Sequence, residues 1–318
     1  MYKLLLTRLQ RVIVLGVMLV TAFACQKNDD TKATPKTITD QILEDNQFSI
    51  LRAAITYAGV GDALKGANLT FFAPNDAAFQ ASGLTESAIR ALSKDQVKDI
   101  VLYHALYTPV SSSAVPSGIN SVQTATSGVA FINKTNTGTI YVNQARVTQA
   151  DLPTANGVIH IIDRVLMPSA GTMLAAIQNN PNLTFLAAAV KRIGSSSPTL
   201  LAALSNTSSA NPVTVFAPND AAFKADGRYT SISSIEVASP QTLASLLSYH
   251  IVSGVLFSNQ LQTGSINTLL SGSRVTIAAL NNTATVKGNR NAAPATIKTP
   301  DVVTVNGVIH IIDQVLQP

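Results

Sequence analysis

The sequence repeats itself at the scale of a domain. FFAPNDAAF at 71–79 returns as VFAPNDAAF at 215–223, and NGVIHIIDRVL at 156–166 returns as NGVIHIIDQVL at 306–316. Between these boxes Tyr103-His104 returns as Tyr249-His250, so the order is kept, at spacings of 144, 146 and 150 residues. A solenoid repeats every ~20–50 residues, whereas this period fits a whole domain. The chain is therefore expected to hold two tandem copies of one unit that differ by small loop insertions.

Within each copy the local signals run in the same order. Ile38, Ile42, Phe48, Leu51 and Ile55 recur at helical spacing with a break near Asn46, and Asn180-Pro181 marks the matching break in the second copy. Phe48 aligns with Leu183, so nine residues have been added before the second FAPND box. They fall within 195–212, a stretch rich in turn formers that reads as an elaborated loop with a single helical turn. In FAPND the proline ends an extended run, and Asn75-Asp76 and Asn219-Asp220 are placed to cap the helix that Ala-Ala-Phe begins. Phe79 and Phe223 should enter the core. After Tyr-His the chain turns to short alternating segments rich in Thr, Val, Ile and Tyr, the mark of hairpins. Asn156-Gly157 and Asn306-Gly307 read there as turn dipeptides suited to positive φ.

The three boxes, met twice in order, resemble those of the fasciclin family, whose FAS1 domain carries a first box like TVFAPND, a Tyr-His dipeptide and a second box like NGVIHVID. The resemblance covers roughly residues 37–318. It implies an α+β fold of two tandem FAS1-like domains, 37–168 and 169–318, each a seven-stranded β-wedge flanked by short helices. It also implies cell adhesion, with extracellular protein or polysaccharide as partners, rather than catalysis. The five residues 167–171 between the copies suggest abutting domains.

The N-terminus places Lys3, Arg8 and Arg11 before an uncharged run from Val12 to Ala24 and then Cys25, and reads as a secretory signal over 1–24. That run spans about 20 Å as a helix, short of the roughly 30 Å hydrocarbon core. Ala22 and Ala24 before Cys25, the only cysteine, resemble a bacterial lipobox, which implies lipid attachment at Cys25. Residues 25–36 read as a flexible tether. Gln26 to Asp30 resembles the surface-export signal of Bacteroidetes lipoproteins, so the expected location is the cell envelope, at the outer membrane or cell surface. Three of the 22 bases precede Cys25 and no acid does, which leaves 19 bases against 17 acids and a nearly neutral mature chain. With no Trp and 5% aromatic residues, a nucleic-acid partner has little support.

All four histidines lie in the boxes: His104, His160, His250 and His310. Strand alternation puts His160 and His310 on the face of Val158 and Ile162, or Val308 and Ile312, with Asp163 and Asp313 on the other face, so the His and Asp cannot pair. Core hydrogen bonding is the expected role of these histidines. No HxxxH, CxxC, EF-hand, GxSxG or phosphate-loop pattern occurs, and neither metal, cofactor nor enzyme activity is expected. The family residues Asp76, Tyr103, His104, His160, Asp163, Asp220, Tyr249, His250, His310 and Asp313 are read as structural, with interaction as the alternative. Animal members of the family link Asp-Ile pairs to integrin binding. Here Asp99-Ile100 precedes Tyr103-His104, with Leu246-Leu247 in the comparable place. Two functions compete: a membrane-tethered adhesion or interaction protein, and a glycan-binding accessory lipoprotein for nutrient capture.

Overall fold

A computed structural model of the chain describes residues 35–280 and 283–318. Cys25, the signal segment and all but the last two residues of the tether lie outside the described residues. Among the described residues, no helix is long and apolar enough to cross a membrane.

Each copy opens with two short helices, Ile38–Glu44 and Ser49–Ala58 in the first, Met173–Gln178 and Thr184–Ile193 in the second. Thr37 starts the first with a capping box shared with Asp40, and Gly59 ends the second at φ +68°, the left-handed conformation that glycine adopts without cost. Ser93 and Ser239 cap the later helices Lys94–Tyr103 and Pro240–Tyr249.

The first sheet is built from β1 (Leu69–Pro74), β2 (Ala105–Leu106), β3 (Gly118–Gln123), β4 (Val129–Lys134), β5 (Ile140–Val142), β6 (Ala145–Thr154) and β7 (Gly157–Ile162). Their order is β2-β1-β7-β6-β5-β4-β3, and β1 and β7 run parallel. The second copy repeats this order with β8 (Val213–Pro218), β9 (Ile251–Ser253), β10 (Gly264–Asn267), β11 (Arg274–Leu280), β12 (Thr283–Gly288), β13 (Ala295–Thr304) and β14 (Gly307–Ile312). The long strand β6 makes the bend: Ala145 and Arg146 pair with β5, while Val147–Thr154 pairs with β7 through two register shifts around Gln149.

That bend gives each copy two cores. Phe71, Ile159 and Ile161 pack with Phe79 under the helices, whereas Phe72 and Ile162 face the wedge interior with Tyr103, Ala130 and Ile132. Burial on both faces explains why β1 and β7 are apolar along nearly their whole length.

Two expectations from the sequence are corrected. Of the two Asn-Gly dipeptides only Gly307 has positive φ, at +144°, and neither asparagine does. Their side chains stitch the fold instead: Asn156 Oδ1 accepts from Ile38 N at 2.9 Å and Nδ2 donates to Leu64 O at 2.8 Å, and Asn306 bonds Met173 N and Ala203 O in the same way. The glycine that follows permits close parallel pairing, because a Cβ on Gly157 would lie 2.0 Å from Leu69 O and one on Gly307 1.8 Å from Val213 O. The inserted segment is also more ordered than a loop with one turn. It forms the eight-residue helix Pro198–Ser205, whose Leu200 and Leu204 are buried, where the first copy has only the 3-10 turn Gly61–Lys65 and Leu64.

The copies meet through an apolar cluster of Phe131 from the first and Val255, Phe257, Val303 and Val308 from the second. The rings of Phe131 and Phe257 lie 6.3 Å apart. Around them Asn133 Nδ2 donates to Gln260 Oε1 at 2.8 Å, Asn259 Nδ2 to Gln144 O at 2.8 Å and Gln260 Nε2 to Asn143 O at 3.2 Å. The connecting segment joins in, with Ala170 N donating to Val303 O and Val305 N to Gly171 O.

Candidate functional site

The family-box residues are engaged with the chain's own backbone. Tyr103 ends its helix and donates to Val129 O at 2.6 Å, and Tyr249 donates to Arg274 O at 2.7 Å, so each tyrosine ties the helical layer to the far half of the sheet. Burial holds both phenols above the usual tyrosine range. His104 caps the same helix. Its Nδ1 faces Ile100 O at 2.8 Å, which makes it the protonated nitrogen, and Nε2 accepts from Leu166 N at 2.9 Å. His250 repeats this with Leu246 O and Leu316 N, both at 2.8 Å. Complete burial pushes both imidazoles down to about 4, so they are neutral at physiological pH.

His160 and His310 hold the opposite tautomer. Their Nε2 donates to Val110 O at 2.8 Å and Leu256 O at 2.7 Å, while Nδ1 accepts from Asp151 N and Asp301 N, each at 3.2 Å. Burial lowers both from the ordinary histidine value. Asp151 and Asp301 sit in the bulged strand at φ +60° and +62°, and their carboxylates accept the backbone N–H and the hydroxyl of Ser112 and Ser258. Ser258, Asp301 and His310 thus lie together without the wiring of a catalytic triad. The serine hydroxyl points at the carboxylate, and the imidazole Nε2 that would take its proton is bonded to a carbonyl.

The four family aspartates also bind the chain's own backbone. Asn75 and Asn219 cap the helices Asp76–Ala81 and Asp220–Asp226, accepting from Ala78 N and Ala222 N. Asp76 and Asp220 reach a different helix from the one the sequence suggested. Asp76 accepts from Ser49 Oγ at 2.6 Å and Ile50 N at 2.9 Å, and Asp220 from Thr184 Oγ1 at 2.7 Å and Phe185 N at 3.0 Å, so each satisfies one orphan amide of the second helix in its copy. Asp163 and Asp313 accept from Arg146 N and Thr296 N, each at 2.7 Å, and stay apart from the histidines, as strand alternation requires. The Tyr-His pairs set the register for Asp99-Ile100: the matching residues are Ser245-Leu246, one place earlier than the sequence alone suggested. Asp99 is exposed and Ile100 buried.

A cavity of about 940 Å³ is a cleft between the two copies, lined along the connecting segment by Val165, Met167, Pro168 and Ala170. One wall carries Tyr141, Gln144, Arg146 and Arg164, and the other Ser258, Asn259 and Asp301. Of the family residues only Asp163 reaches it. Arg146 and Arg164 are exposed, and Arg164 Nη1 donates to Ala81 O at 3.3 Å. Among the described residues, no group of three His, Cys, Asp or Glu side chains could hold a metal ion.

The family model for the fasciclin domain matches this chain twice, over residues 46–168 and 181–318. This chain belongs to the fasciclin domain family. Human periostin is 30% identical over 265 residues, which cover 79% of this chain and 28% of periostin. Protein sll1483 of Synechocystis is 35% identical over 135 residues, 42% of this chain and 73% of that protein. The chain therefore spans most of the cyanobacterial relative's length in one matched stretch but less than a third of periostin's. Among solved structures, the FAS1 domain pair of the insect cell adhesion molecule fasciclin I aligns over 88% of this chain and 96% of its own, at 19% identity and a TM-score of 0.42.

Fasciclin domains occur in adhesion and interaction proteins, and the boxes that define them here build the scaffold. The residues that distinguish the cleft went unnoticed in the sequence because they lie outside the boxes or at their edges. Comparing the copies finds them: Arg146 stands where the second fasciclin domain has Thr296, and Arg164 where it has Gln314. Asp151 and Asp301 carried a signal too, since each precedes its histidine by nine residues.

Proposed function

We propose that this protein is a lipid-anchored, exported adhesion or interaction protein that presents two fasciclin domains to extracellular protein or polysaccharide partners, with no catalytic role. The observation that carries this reading is the double family match over nearly all of the chain beyond residue 45. The engagement of the family histidines, tyrosines and aspartates with backbone groups supports it, because groups so bonded are taken up in holding the fold. The anchor rests on the sequence around Cys25, and two or more acyl chains there give stable attachment where one is marginal.

Two measurements test the proposal. Wild-type protein should incorporate a fatty-acid analogue and partition with membranes, and Cys25→Ser should do neither; a soluble, unlabelled wild type rejects the anchor. A glycan and matrix-protein binding screen of the purified chain should return at least one extracellular ligand. A screen in which nothing binds rejects the adhesion role.

A further inference from the structure

We propose that the cleft between the two fasciclin domains is a binding site for a carboxylate-bearing oligosaccharide, held by Arg146 and Arg164. The inference rests on the adhesion reading above and assigns it a place and a ligand class. A volume of about 940 Å³ is at the upper end of the ~300–1,000 Å³ range for ligand sites, roomy enough for a few sugar rings.

The walls carry two arginines and two aspartates, so free donors rather than net charge choose the ligand's sign. The two acids in the walls are already committed: Asp163 Oδ1 accepts from Arg146 N at 2.7 Å, and both oxygens of Asp301 accept from Ser258. The guanidinium of Arg146 is only loosely paired, with Nε 3.7 Å from Asp163 Oδ2, and Arg164 uses Nη1 on a carbonyl. Each keeps further N–H donors in the planar fork that matches a carboxylate.

The remaining lining favours sugar over peptide. Gln144 brings a side-chain amide, Asn259 keeps its Oδ1 and one N–H beyond the bond to Gln144 O, Ser258 Oγ can still accept while it donates to Asp301, and Tyr141 offers an aromatic ring with a polar tip. Gln144 lines the cleft and its Oε1 is buried with no partner among the described residues, an acceptor left for a ligand hydroxyl. The second domain lacks both arginines at the equivalent positions, so this chemistry belongs to the cleft and not to the family scaffold.

The test is calorimetric titration of the full chain in detergent with trigalacturonate at low ionic strength, beside its methyl ester and hexaglutamate. Trigalacturonate should bind, weaken with added salt, and bind at least tenfold more tightly than either comparison ligand. The double variant Arg146→Thr and Arg164→Gln, which installs the second domain's residues, should lose at least tenfold in affinity with an unchanged melting temperature. Undetectable trigalacturonate binding, equal binding by the double variant, or tighter binding of hexaglutamate overturns the site. The screen separates this from the broader role, because ligands that the double variant still binds as wild type does leave adhesion standing and remove the cleft from it.

Discussion

The two fasciclin domains share a scaffold and differ at the faces they turn toward each other. Phe257 of the second, buried against the first, corresponds to Ser111, because Val110 and Leu256 accept the same bond from the conserved histidine and Ser112 and Ser258 donate the same bond to the bulge aspartate. Phe131 of the first corresponds to Thr276, which is exposed. Each apolar anchor is therefore present only on the face that meets the other copy, and its counterpart on the outward face is polar. The same difference separates β7 from β14: Gly157 and Val158 are half-buried, while Gly307 and Val308 are covered.

The comparison breaks most severely where the copies agree. Gly307→Ala should prevent β14 from pairing with β8, since its Cβ would meet Val213 O at 1.8 Å, and Gly157→Ala should do the same to β7 and β1. A loss above about 4 kcal/mol is expected for either, because backbone must move to relieve the clash. Urea unfolding followed by circular dichroism measures it. A change below about 1 kcal/mol at both positions would show that close strand pairing does not fix the scaffold.

The anchors come next. Phe257→Ser and Phe131→Thr, each installing the other copy's residue, should cost about 3–5 kcal/mol by analogy with buried Phe→Ala. Thermal unfolding should then separate into two transitions, one per domain. The reciprocal Ser111→Phe should leave stability within about 0.5 kcal/mol, because Ser111 is exposed. A single unchanged transition in Phe257→Ser would mean that the domains are coupled by their polar contacts alone.

These differences also mark how far the sequence could be read. The duplication, the capping asparagines and the core phenylalanines were legible, because period, cap chemistry and alternation are local and each was written twice, and the α+β wedge followed from the resemblance of the boxes. The bulge at Asp151, the stitching by Asn156 and the reach of Asp76 to another helix were not, since each joins segments dozens of residues apart or needs a backbone irregularity that alternation does not encode. The cleft was invisible for a different reason. Its residues matter through a packing arrangement, and only a position-by-position contrast of the copies singles out Arg146 and Arg164.

Acid should affect the two copies together. His104 and His250 are held neutral at about 4 in the fold, against ~6.5 for an unfolded chain. Because their folded values are depressed, the unfolded state takes up protons first as pH falls. Stability is therefore full above ~6.5 and declines between ~6.5 and 4, by roughly 3 kcal/mol for each histidine. Melting temperature measured from pH 7.5 to 4 should fall over that window, and His104→Gln should flatten part of the fall. A melting temperature constant across the window would remove burial as the cause of their neutrality.

The smallest effect concerns the insertion that only the second copy carries. Beyond the helix Pro198–Ser205 the chain passes through 206–212 before entering β8, and Ser209 Oγ bonds Ser121 Oγ of the first copy at 2.8 Å. That bond is exposed, and one such bond contributes about 0.5 kcal/mol or less, whereas Leu204 at the helix end is buried and anchors the segment. Ser209→Ala should thus leave the unfolding midpoint nearly unchanged, and Leu204→Ala should lower it by the ~2–5 kcal/mol of a core truncation. The pair of variants separates two roles for the insertion: a helix that fills space beside Asn306, and a loop that touches the neighbouring domain. If Ser209→Ala lowered stability as much as Leu204→Ala, the loop would be a second clasp between the domains, and the apolar anchors would no longer account for their coupling.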